Sequence, residues 1–123
     1  MAMTMRTFKV RDLVGEFAGD VEAGEIVYNS IYPELVAGRS VELDFGGVRL
    51  VAPPFLNVAV GDLLRDIRAA DFDRLFVATN LDALDDEILR VVINTSKRYF
   101  TDQTFRLALD TANAKVAAGD YDR

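Results

Sequence analysis

Glu42 and Asp44 are the carboxylates whose spacing most invites a chemical reading. Two residues apart on an extended segment, they fall on the same side. Asp44 stands two residues before the Gly46-Gly47 pair. One carboxylate at that turn is no acid–base pair, and two such side chains make no metal cage, because a hard cation takes ~6–8 oxygen ligands. Asp44 reads as an acceptor for backbone N–H groups of the glycine turn, with a ligand or partner contact as the rival role. The acidic run Asp82 to Glu87 lacks the spacing and central glycine of a calcium loop and suits a helix N-terminus instead. Gly15-Glu16-Phe17-Ala18-Gly19 is followed by no lysine, so it does not read as a phosphate loop. Ser30, Thr79, Thr95 and Ser96 have no general base nearby in the sequence and read as caps or surface hydroxyls.

Composition narrows the chemistry further. The chain has 123 residues, no histidine and no cysteine. The commonest general base and metal ligand is therefore missing, and so is any thiolate. No catalytic, cofactor-binding or metal-binding residue is expected, and an enzyme is the weakest reading. A formal charge of −6 argues against nucleic acid, which needs a basic face. Tyr99-Phe100 beside Lys97-Arg98 is too small a basic patch to change that, and packing against the last helix is expected of it. No apolar stretch approaches the ~20 residues that span a bilayer. The first residues, Met1 to Phe8, lack the apolar core of a secretory signal. No membrane association is expected, and a cytoplasmic location is.

The elements that must position these residues follow from periodicity. Arg6 to Val10 alternates as a first strand, and Asp12 to Asp20 reads as a loop. Val21 to Val36 carries Val27, Ile31 and Leu35 at helical spacing. Pro33 predicts a bend or a division into two short helices, and Gly38 a left-handed stop. Ser40 to Phe45 alternates as a strand with Asp44 at its carboxyl end. Pro54 to Ala70 reads as one helix with the stripe Leu56, Val60, Leu63 and Ile67, its Gly61 tolerated by close approach to the sheet. Phe72 to Ala78 reads as a strand buried on both faces. Asp82 caps a helix to Phe100 whose Leu84, Ile88, Val91 and Val92 face inward, and Asp102 caps a last helix carrying Phe105, Leu109, Ala112 and Val116. Strands alternating with helices predict an α/β fold, a mostly parallel or mixed sheet of about four strands covered by about four helices. The expected organisation is one domain over 1–123, with 1–5 and 119–123 flexible.

The run Val41 to Gly61 carries a resemblance. Leu43-Asp44-Phe45, Gly47-Val48, Pro53, Phe55-Leu56-Asn57, Ala59 and Gly61 together resemble the middle of the STAS fold, that of sulfate transporter and anti-sigma factor antagonist domains. The nearest pattern is that of the bacterial STAS-like branch of uncharacterised function, and the resemblance extends over roughly Val21 to Phe100. It implies a small α/β domain that docks proteins. In anti-sigma factor antagonists the segment matching Ala52-Pro53 carries an aspartate and a serine that a partner kinase phosphorylates. Ala52 and Pro53 hold no hydroxyl, so that switch is absent here.

Two functions are therefore expected ahead of any other. The first is a non-enzymatic bacterial signalling module that docks a histidine-kinase-like ATP-binding protein or a sigma-factor regulator. The resemblance places its contact surface at Asp44, Val51, Ala52, Pro53, Pro54, Phe55, Leu56, Asn57, Gly61 and Asp62. The second is a small-molecule or nucleotide sensor using the crevice at the strand carboxyl ends. A homodimer is compatible with both, since the edges of a small sheet need cover.

Overall fold

The computed structural model of the chain describes residues 5–117. A parallel three-stranded sheet, in the order β1-β3-β5, is built from β1 (Met5–Lys9), β3 (Ser40–Asp44) and β5 (Phe76–Thr79). A second parallel pair joins β2 (Phe17–Ala18) to β4 (Leu50–Val51). Six helices complete the described chain: α1 (Val10–Val14), α2 (Val21–Val36), α3 (Pro53–Ala59), α4 (Ala69–Leu75), α5 (Ala83–Thr101) and α6 (Gln103–Ala117). A 3₁₀ turn, Gly61–Arg65, follows α3. The α/β class expected from the sequence holds, but the strands number five and form two sheets rather than one of four.

The central strand explains the alternation in Ser40 to Phe45. Val41 and Leu43 are fully buried on the helix-covered side of the sheet, and Phe45, just past the strand end, joins them in the core. Glu42 and Asp44 lie on the other side, half-buried. Thr7 of β1 and Thr79 of β5 both donate to the Glu42 carboxylate, at 2.9 and 2.7 Å. A strand carboxylate held by hydroxyls of both neighbouring strands stays hydrogen-bonded without a helix over it.

Helix α2 runs unbroken from Val21 to Val36 with Pro33 inside it, so the division into two helices does not occur. Asp20 caps it, its Oδ1 accepting from the Ala23 N–H at 2.8 Å. The Gly38 N–H donates to Leu35 and the Arg39 N–H to Glu34, with Gly38 at φ +82. This Schellman ending is the left-handed stop that Gly38 predicts.

Several sequence-based boundaries are corrected. Asp12 to Asp20 is not a plain loop, since it holds the end of α1 and all of β2. The helix expected over Pro54 to Ala70 ends at Ala59, passes through the 3₁₀ turn and restarts as α4 at Ala69. Its stripe nevertheless stays buried at Leu56, Val60, Leu63 and Ile67. A 3₁₀ turn eclipses residues three apart, so Val60 and Leu63 keep one direction through the break. Gly61 is explained by α5 rather than by the sheet: a Cβ there would lie 2.6 Å from Ser96 Oγ and 3.3 Å from Val92 Cγ1.

The strand expected from Phe72 begins only at Phe76, because Phe72 and Leu75 are the buried i, i+3 pair of α4. The Phe72 and Phe76 rings stack across the junction at 4.8 Å. Strand β5 is an edge strand with Val77 exposed, so it is not buried on both faces. In α5 the inward residues are Leu89 and Val92, while Leu84 and Val91, expected inside, are 70% and 58% exposed. Asp82 does cap α5, accepting from the Asp85 N–H, and Asp102 caps α6 through the Phe105 N–H. The expectation of loose ends at 1–5 and 119–123 lies outside the described residues, apart from Met5, which opens β1.

Candidate docking surface at the strand-to-helix corner

The corner starts where β3 ends. Asp44 Oδ1 accepts from the Gly46 N–H at 2.8 Å and from Asn80 Nδ2 at 2.7 Å. These two donors, the Asn80 amide first, hold the Asp44 carboxyl below the usual carboxylate range. Asn80 sits at φ +61, the one non-glycine residue with positive φ among the described residues. The Phe45 N–H donates to the Thr79 carbonyl at 2.9 Å, tying the end of β3 to β5. The chain then reverses through a turn closed by the Val48 N–H on the Phe45 carbonyl, with Gly47 at φ +78. A Cβ at Gly47 would lie 2.9 Å from Arg11 Cδ, so the Arg11 side chain lies over this turn.

After the turn, β4 leads into α3. The Arg49 and Leu50 N–H groups donate to the Glu16 carbonyl and the Ala52 N–H to the Ala18 carbonyl. Ala52 is the N-cap with no side-chain cap, and Pro53 and Pro54 are the first two helical positions. Their missing N–H groups remove donors that a helix start leaves unpaired in any case, and their fixed φ stiffens the start. Phe55 points into the core, edge-to-face on Phe45 with ring centroids 6.4 Å apart.

This geometry divides the expected contact residues. Pro53, Pro54 and Asn57 are exposed, and Val51, Ala52, Asp44 and Asp62 are half-buried. Phe55, Leu56 and Gly61 are buried and offer a partner no surface. Asp62, on the 3₁₀ turn, has its carboxyl pushed up by burial, against the opposing pull of Arg65. Asp44 is engaged with Gly46 and Asn80 on the sheet side of the corner.

Pro53 and Asn57, one turn apart, form one wall of an apolar groove of about 360 Å³. Its other wall is α5, through Leu84, Ile88, Val91 and Thr95, with Val92 and Glu87 completing the lining. Sequence reasoning missed the α5 wall. Its signal was the width of the apolar arc: Leu84, Ile88, Val91, Val92 and Leu89 cover more of the helix than the ~100° stripe one buried face requires. Leu89 and Val92 fill the inward part of that arc and Leu84 and Val91 are left outside.

Three other cavities are smaller in apolar character or lie elsewhere. One of about 230 Å³ lies between the end of α2 and α4, lined by Leu35, Asp66, Arg68 and Arg74. One of about 170 Å³ lies against Leu64, Lys97 and Phe100, and one of about 440 Å³ along β5 and α5. None of these four is lined by Asp44, Gly46, Gly47 or Asn80. Among the described residues no group of three or more acidic side chains is placed to hold a metal ion. Among the described residues no helix is long and apolar enough to cross a membrane.

A family model described as a STAS-like domain of unknown function matches residues 23–86. The chain belongs to that family. The matched STAS-like segment begins in α2, contains the whole corner and ends in the first turn of α5, leaving α6 outside it. Comparison with curated proteins and with solved structures gave no match.

Proposed function

We propose that this STAS-like chain is a non-enzymatic protein-interaction module, and that a protein partner docks in the groove between α3 and α5. The observation that carries this reading is the apolar wall of exposed Leu84 and Val91 with half-buried Ile88 between them, facing the proline-stiffened start of α3. Soluble proteins seldom leave contiguous apolar surface uncovered unless something binds it. A groove flanked by a rigid helix start suits an amphipathic helix laid along it. The partner class is the one the STAS resemblance implies, an ATP-binding kinase-like protein or a sigma-factor regulator in a bacterial signalling pathway. With alanine and proline at positions 52 and 53, control comes from groove occupancy and not from phosphorylation at the helix start.

The test is capture from a lysate of the native cell on immobilised chain, with wild type, Val91→Asp and Leu84→Asp compared side by side. The reading requires a captured protein that mass spectrometry identifies as belonging to one of those classes and that both variants lose. Capture that neither variant changes, or no protein of either class, overturns it.

A further inference from the structure

Helix α6 leaves a further apolar face largely uncovered among the described residues. From Gln103 to Val116 no residue is buried, and only Phe105 and Leu109 are half-buried. Two contacts with α5 hold its near end: the Arg98 guanidinium lies over the Phe105 ring at 4.2 Å, and the Tyr99 hydroxyl donates to Asp110 Oδ1 at 2.8 Å. Leu107 and Val116 are 58% and 55% exposed. A helix with this little burial has little to stabilise it in an isolated copy, since packing of an apolar face supplies most helical stability in proteins.

Its apolar stripe matches the groove in length. Phe105, Leu109, Ala112 and Val116 recur at i, i+4, i+7 and i+11. Leu84, Ile88, Val91 and Thr95, on the α5 wall, recur at the same offsets. At ~1.5 Å rise per residue each row is about 16 Å long. The charges match as well. Glu87 lines the groove and Asp85 stands in the first turn of α5, while Asp86 pairs with Arg90 and lines the cavity along β5. Helix α6 carries Arg106 and Lys115 against a single acid, Asp110, in a chain whose net charge is −6.

The chain's own α6 cannot cover that row. Only Asp102 separates α5 from α6. Leu84 lies eighteen residues before Asp102, about 27 Å along the helix axis, while α6, with fifteen residues, is about 22 Å long. The Tyr99–Asp110 and Arg98–Phe105 contacts also hold α6 at the far end of α5 from Leu84.

We propose that a second copy fills the groove: α6 of each protomer lies between α3 and α5 of the other, in a reciprocal two-fold dimer. This rests on the groove being a docking face, and it adds that the chain itself occupies that face until a partner displaces it. A two-fold exchange closes on itself and covers the groove together with Ala112 and Val116, the exposed part of the α6 row beyond its contacts with its own α5.

The chain lacks cysteine, so introduced thiols report cleanly. Val91→Cys is mixed separately with Leu109→Cys and with Ala112→Cys, the positions opposite it when the two rows run antiparallel or parallel, and each mixture is equilibrated and oxidised. A disulfide-linked heterodimer is expected from one of the two mixtures, and Val77→Cys mixed with Leu109→Cys or Ala112→Cys is expected to give none. Light scattering is expected to show a dimer for wild type and monomers for Val91→Asp and Val116→Asp. Circular dichroism of the two aspartate variants establishes that each is folded. A monomeric wild type, or a dimer that survives both aspartate substitutions, overturns the exchange. A monomeric chain whose Val91→Asp variant still loses a captured partner sinks the exchange and leaves the docking reading standing. A confirmed exchange with no partner captured does the reverse.

Discussion

Asn80 Nδ2 lies 2.7 Å from Asp44 Oδ1, bridging the carboxyl ends of β3 and β5. Because the Gly46 N–H shares that oxygen, one carboxylate organises the last residues of two strands and the first residue of the turn. The corner that presents α3 is thus built on a polar clamp on one side of the sheet and on the Phe45–Phe55 contact on the other.

Asn80→Ala removes the clamp's amide and leaves a β-carbon in the left-handed region. Loss of a hydrogen bond costs about 1 kcal/mol and the strained φ about another 1 kcal/mol. Asn80→Gly loses only the bond, because glycine adopts positive φ freely. Urea unfolding is therefore expected to rank wild type above Asn80→Gly, and Asn80→Gly above Asn80→Ala.

The same clamp gives an acid dependence of defined sign. The native Asp44 pKa is depressed, by Asn80 and then Gly46, below the ~3.9 of an unfolded aspartate. Its contribution is fully present above about pH 4 and is lost as pH falls through the lower native value. The stability difference between wild type and Asp44→Asn is expected to stay constant from pH 7 to about pH 5 and to shrink below pH 4. Denaturant titrations across that range check it; a difference that grows as pH falls contradicts the assignment.

Two glycines are held by close packing of different kinds. A Cβ at Gly24 of α2 would lie 2.9 Å from the Phe55 carbonyl oxygen and 2.9 Å from Val58 Cβ. Neither can rotate away, so Gly24→Ala is expected to cost about 2–3 kcal/mol. At Gly61 the nearest atom is the Ser96 hydroxyl, which can. Gly61→Ala is expected to cost less, and Ser96→Ala to recover part of the loss. Thermal unfolding of the four variants, the Gly61→Ala/Ser96→Ala pair included, decides it.

Phe55→Ala separates folding from docking. Phe55 is fully buried, so truncation is expected to cost about 3–5 kcal/mol. Pro53→Ala, on the exposed groove wall, is expected to change stability by less than about 1 kcal/mol. A Phe55 variant as stable as wild type would mean that the ring is not part of the core.

The sequence carried the positions of Asp44, the Pro53-Pro54 start, the Gly38 stop and the caps Asp82 and Asp102 because each is set by local chemistry. It did not carry the break after Ala59: the stripe Leu56-Val60-Leu63-Ile67 serves an α-helix and an interrupted one equally well. Phe72 and Leu75 merged with Phe76 to Ala78 into one apparent strand, since a short apolar run has no distinguishing period. Strand β2 has two residues, too few to alternate. The resemblance over Val41 to Gly61 located the corner but not which of its residues face outward. That division depends on α2 and α5, the distant segments that pack against α3.

The most direct test of the docking claim is site-specific photo-crosslinking in the native cell, with a benzophenone amino acid replacing Val91 in the groove or Val77 on the β5 edge. The account predicts an adduct from position 91 to a kinase-like or regulatory protein and none from position 77, and adducts to α6 of a second copy alone contradict it. No adduct at position 91, or the same adducts from both positions, contradicts it.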